Sequence, residues 1–270
     1  MISIFANNAT GANKTVSTLG NRVKLNFAPS IPLDDKVDYE LRLISANIVY
    51  CMPNITSSNN TLTYIFGGTT HTITFDTGLY ALSDINNIVS LYTGISNNGG
   101  DSNLIVFSAD ESTSKIYIFF SQPYVEINCG VSNSIMPMLG FPTSSGVIGG
   151  LNIASWIKGA YSAQLNSLQN ILIQCDIVNG GYSNTQVSNV IAVVTPNVTP
   201  YSTIIYTPYF PIRCPVFKRG KIDSITITLV DQDGNDIDMG TAGGTDLPAE
   251  LWSVVLTLEP TILQTAHNAK

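Results

Sequence analysis

The sequence predicts an all-β protein: a single jelly-roll sandwich of about eight to ten antiparallel strands with one inserted helix and long loops. Three observations predict it. Charged residues make up 11% of the 270 positions, against ~25% in an average soluble domain, which leaves little for the Glu-, Lys- and Arg-rich outer faces of helices. The apolar positions fall to Val, Ile, Tyr and Phe with many Thr, residues that suit a pleated, half-buried surface. They come in short runs punctuated by turn residues, with no helices alternating between them. The jelly roll is preferred because its two Greek keys need long crossings between sheets, and the irregular stretches of this chain supply them.

The elements follow in order. Residues 1–20 are polar and turn-rich (NNATGANKTVSTLGN) and read as an extended N-terminal arm. Val23 to Phe27 alternates apolar and polar, and Val37 to Tyr50 is long enough to cross a whole sheet. Leu62 to Phe66 and Thr72 to Phe75 face each other across Gly67-Gly68-Thr69-Thr70 as a hairpin. Ser83 can cap a helix whose Ile85, Ile88, Val89 and Tyr92 form an apolar stripe, expected to lie across the sandwich, before Gly94 stops it. Strands follow at Leu104 to Ser108, Lys115 to Phe120 and Tyr124 to Cys129, then a helical turn around Ser134 to Leu139.

Residues 142–167 are the least regular and read as an insertion or a long connection. Strand signals return at Asn170 to Val178, Val187 to Thr195, Ser202 to Tyr206, Ile212 to Phe217, Ile222 to Val230 and Leu251 to Leu258. Residues 261–270 read as a C-terminal tail, so the sandwich is expected to span 21–260. A length of 270 residues by itself admits one domain or two.

VDQDGNDID, Val230 to Asp238, crowds four aspartates around a glycine. An EF-hand beginning at Asp231 fails, because its sixth position is Asp236 where glycine is needed and its twelfth is Ala242 where glutamate is needed. Asp233-Gly234 instead signals a hairpin turn, with Asp231, Asp233 and Asp236 leaving room for a weak cation site at most.

Composition excludes several function classes. The net charge of −7 argues against capture of nucleic acid or anionic lipid, and Lys218-Arg219-Gly220-Lys221 reads as a solvated turn. Cys51, Cys129, Cys175 and Cys214 form no CxxC pair, so no zinc site or other metal centre is expected. They read as buried free thiols, consistent with a reducing intracellular compartment. No stretch reaches the ~20 apolar residues of a membrane span, and the N-terminus has no basic signal-peptide region.

Two histidines, His71 and His267, both in turn-like or terminal positions, give no nucleophile a base. Glu40, Glu126 and Glu250 cannot be paired by spacing as a glycosidase would need. No catalytic residue, cofactor or enzyme activity is expected.

The richest segment is Tyr201 to Phe217, YSTIIYTPYFPIRCPVF, which concentrates aromatics and arginine as interfaces do. Tyr201, Tyr206, Tyr209, Phe210 and Arg213 are the candidate interface residues; the same composition also suits a proline-punctuated edge strand with its aromatics turned inward.

GLYALSDINNIVSLY, MPMLGFP, NILIQCDIVNGGY, NVIAVVTPNVTPYSTIIYTPYFPI and SITITLVDQDGNDID occur in that order between about Leu79 and Leu258. Together they resemble the pentons, the single jelly-roll vertex capsid proteins of virophages and Polinton-like double-stranded DNA viruses. The resemblance implies a homopentamer at each icosahedral vertex of the virion, a double jelly-roll major capsid protein as neighbour, and no catalysis. A host receptor is left open. The alternative is a carbohydrate-binding β-sandwich, a spike or attachment module that sets Tyr and Trp faces against sugar.

Overall fold

The computed structural model describes residues 1–9, 11–98, 100–165, 168–179, 181–183, 186–199, 201–239 and 251–261. The proposed C-terminal tail and Glu250 therefore lie outside the described residues, apart from Thr261, whose N–H donates to the Asp38 carbonyl at 2.7 Å. The chain forms two compact units, one from 1–52 and 168–270, the other from 53–167.

The first unit opens with β1 (Ile2–Asn7), β2 (Lys14–Val16), β3 (Arg22–Pro32) and β4 (Tyr39–Val49). Residues 1–20 are thus not an extended arm. β1 pairs antiparallel along β19 (Trp252–Pro260) and β2 pairs with β3. ISIFAN alternates just enough to turn Ile4 and Ala6 into the core.

Within β4 the inward set changes phase, from Leu41 and Leu43 to Ala46 and Ile48. A bulge causes it: Val255 faces Ser45 but Leu256 faces Leu43, leaving Ile44 unpaired and 37% exposed.

After the second unit come β12 (Ile171–Cys175), β13 (Gly181–Ser183), β14 (Gln186–Ser188), β15 (Val190–Val194), β16 (Thr203–Tyr206), β17 (Cys214–Pro215), β18 (Lys221–Val230) and β19. One sheet runs β1-β19-β4-β16, with β17 also on β4, and the other runs β15-β12-β18-β3-β2. Eight of these strands pair first with last: β1 with β19, β3 with β18, β4 with β16, and β12 with β15, all antiparallel. A long hairpin of four double strands rolled into two sheets has this order, and it is the jelly roll that the composition predicts.

One inner face per strand fills the core, with Ile225, Ile227 and Leu229 on β18 and Trp252, Val254, Leu256 and Leu258 on β19. Polar side chains lock the entry to β19. Asn8 Oδ1 accepts the N–H groups of Leu251 and Trp252, while Asn8 Nδ2 and Trp252 Nε1 both donate to the Gly20 carbonyl, the latter at 2.7 Å.

The sandwich does not span 21–260 continuously, and 142–167 is not a separate insertion. Residues 53–167 are inserted as a whole between β4 and β12, and 142–167 is only their last part. This second unit holds β5 (Thr61–Phe66), β6 (Thr69–Thr74), α1 (Leu82–Thr93), β7 (Ile105–Asp110), β8 (Lys115–Phe120), β9 (Glu126–Asn128), β10 (Val147–Gly149) and β11 (Ser155–Lys158). Its sheets are β10-β9-β5-β6 and β11-β8-β7.

The β5–β6 turn is tighter than the sequence suggests. Phe66 pairs with Thr69, so only Gly67 and Gly68 turn, at φ +59° and +77°, the left-handed pair that a two-residue hairpin of this type requires.

The helix starts one residue before Ser83, because the Asp84 carboxylate accepts the Ala81 N–H at 2.9 Å and fixes the first turn there. Its stripe lies within the inserted unit: Ile85 and Val89 join a core of Leu62, Tyr64, Phe107 and Ile118. Asn86 exchanges two 2.8 Å hydrogen bonds with the backbone of Phe107 and so holds the helix along β7.

Candidate interaction surface

The segment from β16 to β17 is built by where the chain can and cannot pair. β16 pairs Thr203 to Tyr206 against Val49 to Ala46, and β17 returns to β4 at Cys214 opposite Leu41. Between them stand Pro208 and Pro211, which have no N–H for the ladder. The continuous strand expected over Ile212 to Phe217 is therefore reduced to Cys214–Pro215, and residues 207–213 form a loop off the edge of β4.

At that loop Tyr209 is 90% exposed and Phe210 82%, their rings edge-to-face at 4.6 Å. The aromatics do not pack inward. Arg213 Nη1 lies 3.9 Å from Glu40 Oε2, and Glu40 and Glu259 both contact Arg42, at 3.4 and 3.1 Å.

Of the five sequence-chosen residues, the structure brings Tyr209 and Phe210 into contact and sets Arg213 at the base of the same loop. Tyr206 is half-buried at the end of β16. Tyr201, exposed, precedes β16 by two residues, roughly 15 Å of extended chain from Tyr206.

Sequence reasoning missed Ile205, 77% exposed, and Phe5, 58% exposed. The signal was present in TIIY: neighbouring strand residues point to opposite faces, so with Ile204 buried Ile205 must face out.

No group of three His, Cys, Asp or Glu side chains suited to a metal occurs among the described residues. The VDQDGNDID stretch is a turn with its acids engaged. The Asp231 carboxylate accepts the N–H groups of Asp233 and Asn235 and the Asn235 amide, and Asp236 takes Asn21 and Arg22. The turn is longer than the expected two residues, since Gly234 N–H donates to Asp231 and Gly234 sits at φ +87°, the left-handed residue closing a three-residue loop.

Two cations of the basic cluster are ion-paired, Arg219 on Asp38 at 2.6 Å and Lys221 on Asp223 at 3.0 Å, and Lys218 stands 5.8 Å from the centre of the Phe217 ring. Glu40 and Glu126 belong to different units. His71 stacks on Tyr64 with ring centres 4.9 Å apart, and His267 lies outside the described residues. A hollow beside Arg213 and Cys214 encloses 80 Å³, while more open depressions of 510 Å³ and 540 Å³ lie beside Ile205 and Ser253 and beside Thr15 and Lys24.

The four cysteines are free. Burial pushes the thiols of Cys51 and Cys129 up to about 11 and that of Cys175 up to about 12, the opposite of what a nucleophile needs. Ellman's reagent at pH 8 is therefore expected to titrate essentially no thiol in the native protein and four per chain in guanidinium; rapid native reaction would contradict the burial. These raised values also stabilise the fold fully below the ordinary thiol value of 9, a contribution lost as pH climbs from 9 through about 11 to 12.

No family model and no curated protein matches this chain. The solved structures that match include the selenomethionine-labelled mavirus penton protein, with 12% identity and a TM-score of 0.47 over 96% of this chain and 100% of that one.

Proposed function

We propose that this chain is a structural capsid protein of the penton kind. It closes homopentameric rings at the icosahedral vertices of a virion, abuts a double jelly-roll major capsid protein, and works by binding alone. The observation that carries the reading is the pair Tyr209 and Phe210, 90% and 82% exposed at the edge of a jelly-roll sheet beside a chain of alternating charges.

A cyclic ring needs a patch on one copy to meet a different patch on the next. The sheet that ends in β16 and β17 on one side ends in β1 on the other, and β1 presents Phe5. Exposed aromatics with an arginine at the base of their loop match the composition of interface centres, and a neighbour on the sheet edge would cover strand groups that otherwise invite irregular pairing.

Sedimentation and native mass spectrometry over rising concentration test the reading. Wild-type chain is expected to populate pentamers, and the double substitution Tyr209→Ala with Phe210→Ala to remain monomeric at concentrations where wild type assembles. A wild-type chain monomeric up to millimolar concentration, or a double variant that assembles as well as wild type, overturns it.

A further inference from the structure

The outer face of the sheet β11-β8-β7, in the inserted unit, carries a cluster that the capsid reading does not use. Register places Trp156, Phe119 and Val106 in one row and Lys158, Tyr117 and Ser108 in the next. Trp156 is 59% exposed, yet its ring is braced: Phe119 lies under it at 4.8 Å and Tyr117 meets it edge-on at 6.3 Å. Lys158 Nζ stands 4.9 Å from the centre of the Tyr117 ring and 3.0 Å from Asp110 Oδ2. Asp110 is itself held by the hydroxyls of Ser112 and Thr113, each at 2.6 Å.

A flat indole is thus fixed in water beside the Lys158 ammonium, whose place is set by an Asp110 carboxylate filled by the Ser112 N–H and by the Ser112, Thr113 and Lys158 side chains. We propose that this face binds a pyranose ring of a neutral glycan, its C–H face stacked on Trp156 and its rim hydroxyls meeting the Lys158 ammonium that Asp110 holds in place.

The chemistry of the face selects this occupant. A pyranose has one apolar face and a polar rim, and the two rows match it side by side. A nucleobase would stack equally well, but its phosphates would meet a chain of net charge −7. An apolar helix or a lipid surface would have to strip water from the Lys158–Asp110 pair without offering it partners. The proposal is independent of the capsid reading, since the isolated full-length chain carries the whole face.

The test titrates the full-length protein with the methyl glycosides of glucose, galactose, mannose and N-acetylglucosamine, read by saturation-transfer NMR and calorimetry. At least one is expected to saturate, with protons of a single ring face receiving magnetisation. Trp156→Ala should weaken it about tenfold, Trp156→Phe should retain most of the binding, and Lys158→Ala and Asp110→Asn should each weaken it several-fold with melting temperature unchanged.

Failure of all four glycosides to saturate, or equal binding by Trp156→Ala, overturns the proposal. So does a Trp156→Ala chain whose oligomeric mass changes while glycoside affinity does not, which would make the face a contact between copies.

Discussion

Trp252→Ala is expected to destabilise the protein by ~3–5 kcal/mol, the range for emptying a buried large aromatic site, and to lower the melting temperature by on the order of 10 °C. Two losses combine there. Trp252 is 1% exposed at the start of β19, the strand between β1 and β4, so the missing indole leaves a hollow in the sandwich. Its Nε1 also donates to the Gly20 carbonyl at 2.7 Å, which Asn8 Nδ2 reaches only at 3.3 Å.

Trp252→Phe separates the two, because it keeps most of the apolar volume and removes the donor; ~0.5–1.5 kcal/mol is expected for it, the net worth of one hydrogen bond, since Asn8 Nδ2 still reaches the Gly20 carbonyl. Chemical denaturation followed by circular dichroism reads both. A Trp252→Ala chain within ~1 kcal/mol of wild type would mean that β19 does not anchor the core. Tryptophan emission adds a check, since removing Trp252 should take away the blue-shifted component and leave that of the exposed Trp156.

What the sequence made legible follows from which forces are local. Alternation marks β18 and β19 because the more apolar face of each turns to the core, and Ile225, Ile227 and Leu229 repeat at every second residue. The prolines at 208 and 211 likewise mark the edge loop, since a missing N–H is a property of the residue itself.

Partner choice is not local. LTYIF and KIYIF alternate or run apolar whether they join a jelly roll or another sheet, so nothing in them reveals that β5 to β11 and α1 gather around Leu62, Tyr64 and Phe107 as a second core. β1 was hidden among polar neighbours, six residues whose inward face is only Ile4 and Ala6. Trp156 was hidden differently: SWIK is a four-residue edge strand, too short for its period to stand out from the glycines around it.

A chain made of residues 53–167 alone is expected to fold, melting cooperatively and giving a dispersed amide NMR spectrum. The segment is roughly 115 residues, an ordinary domain size, and its buried cluster draws only on its own residues, from Ile55 to Phe141. Its two ends are already tied together. Asn54 Nδ2 donates to the Leu165 carbonyl and to the Tyr80 carbonyl, both at 2.8 Å, and Asn54 Oδ1 accepts the Tyr80 N–H at 2.8 Å.

Ends held side by side allow a unit to sit within another chain with little strain, and for the same reason allow it to be removed. The reciprocal chain, with 53–167 replaced by a short Gly-Ser linker, should keep the eight-strand pairing of the jelly roll, because no strand of those sheets comes from the segment removed. A 53–167 chain that binds hydrophobic dye and shows collapsed amide shifts would make the insertion dependent on the sandwich. It would then be part of one domain, as the expected single sandwich over 21–260 has it.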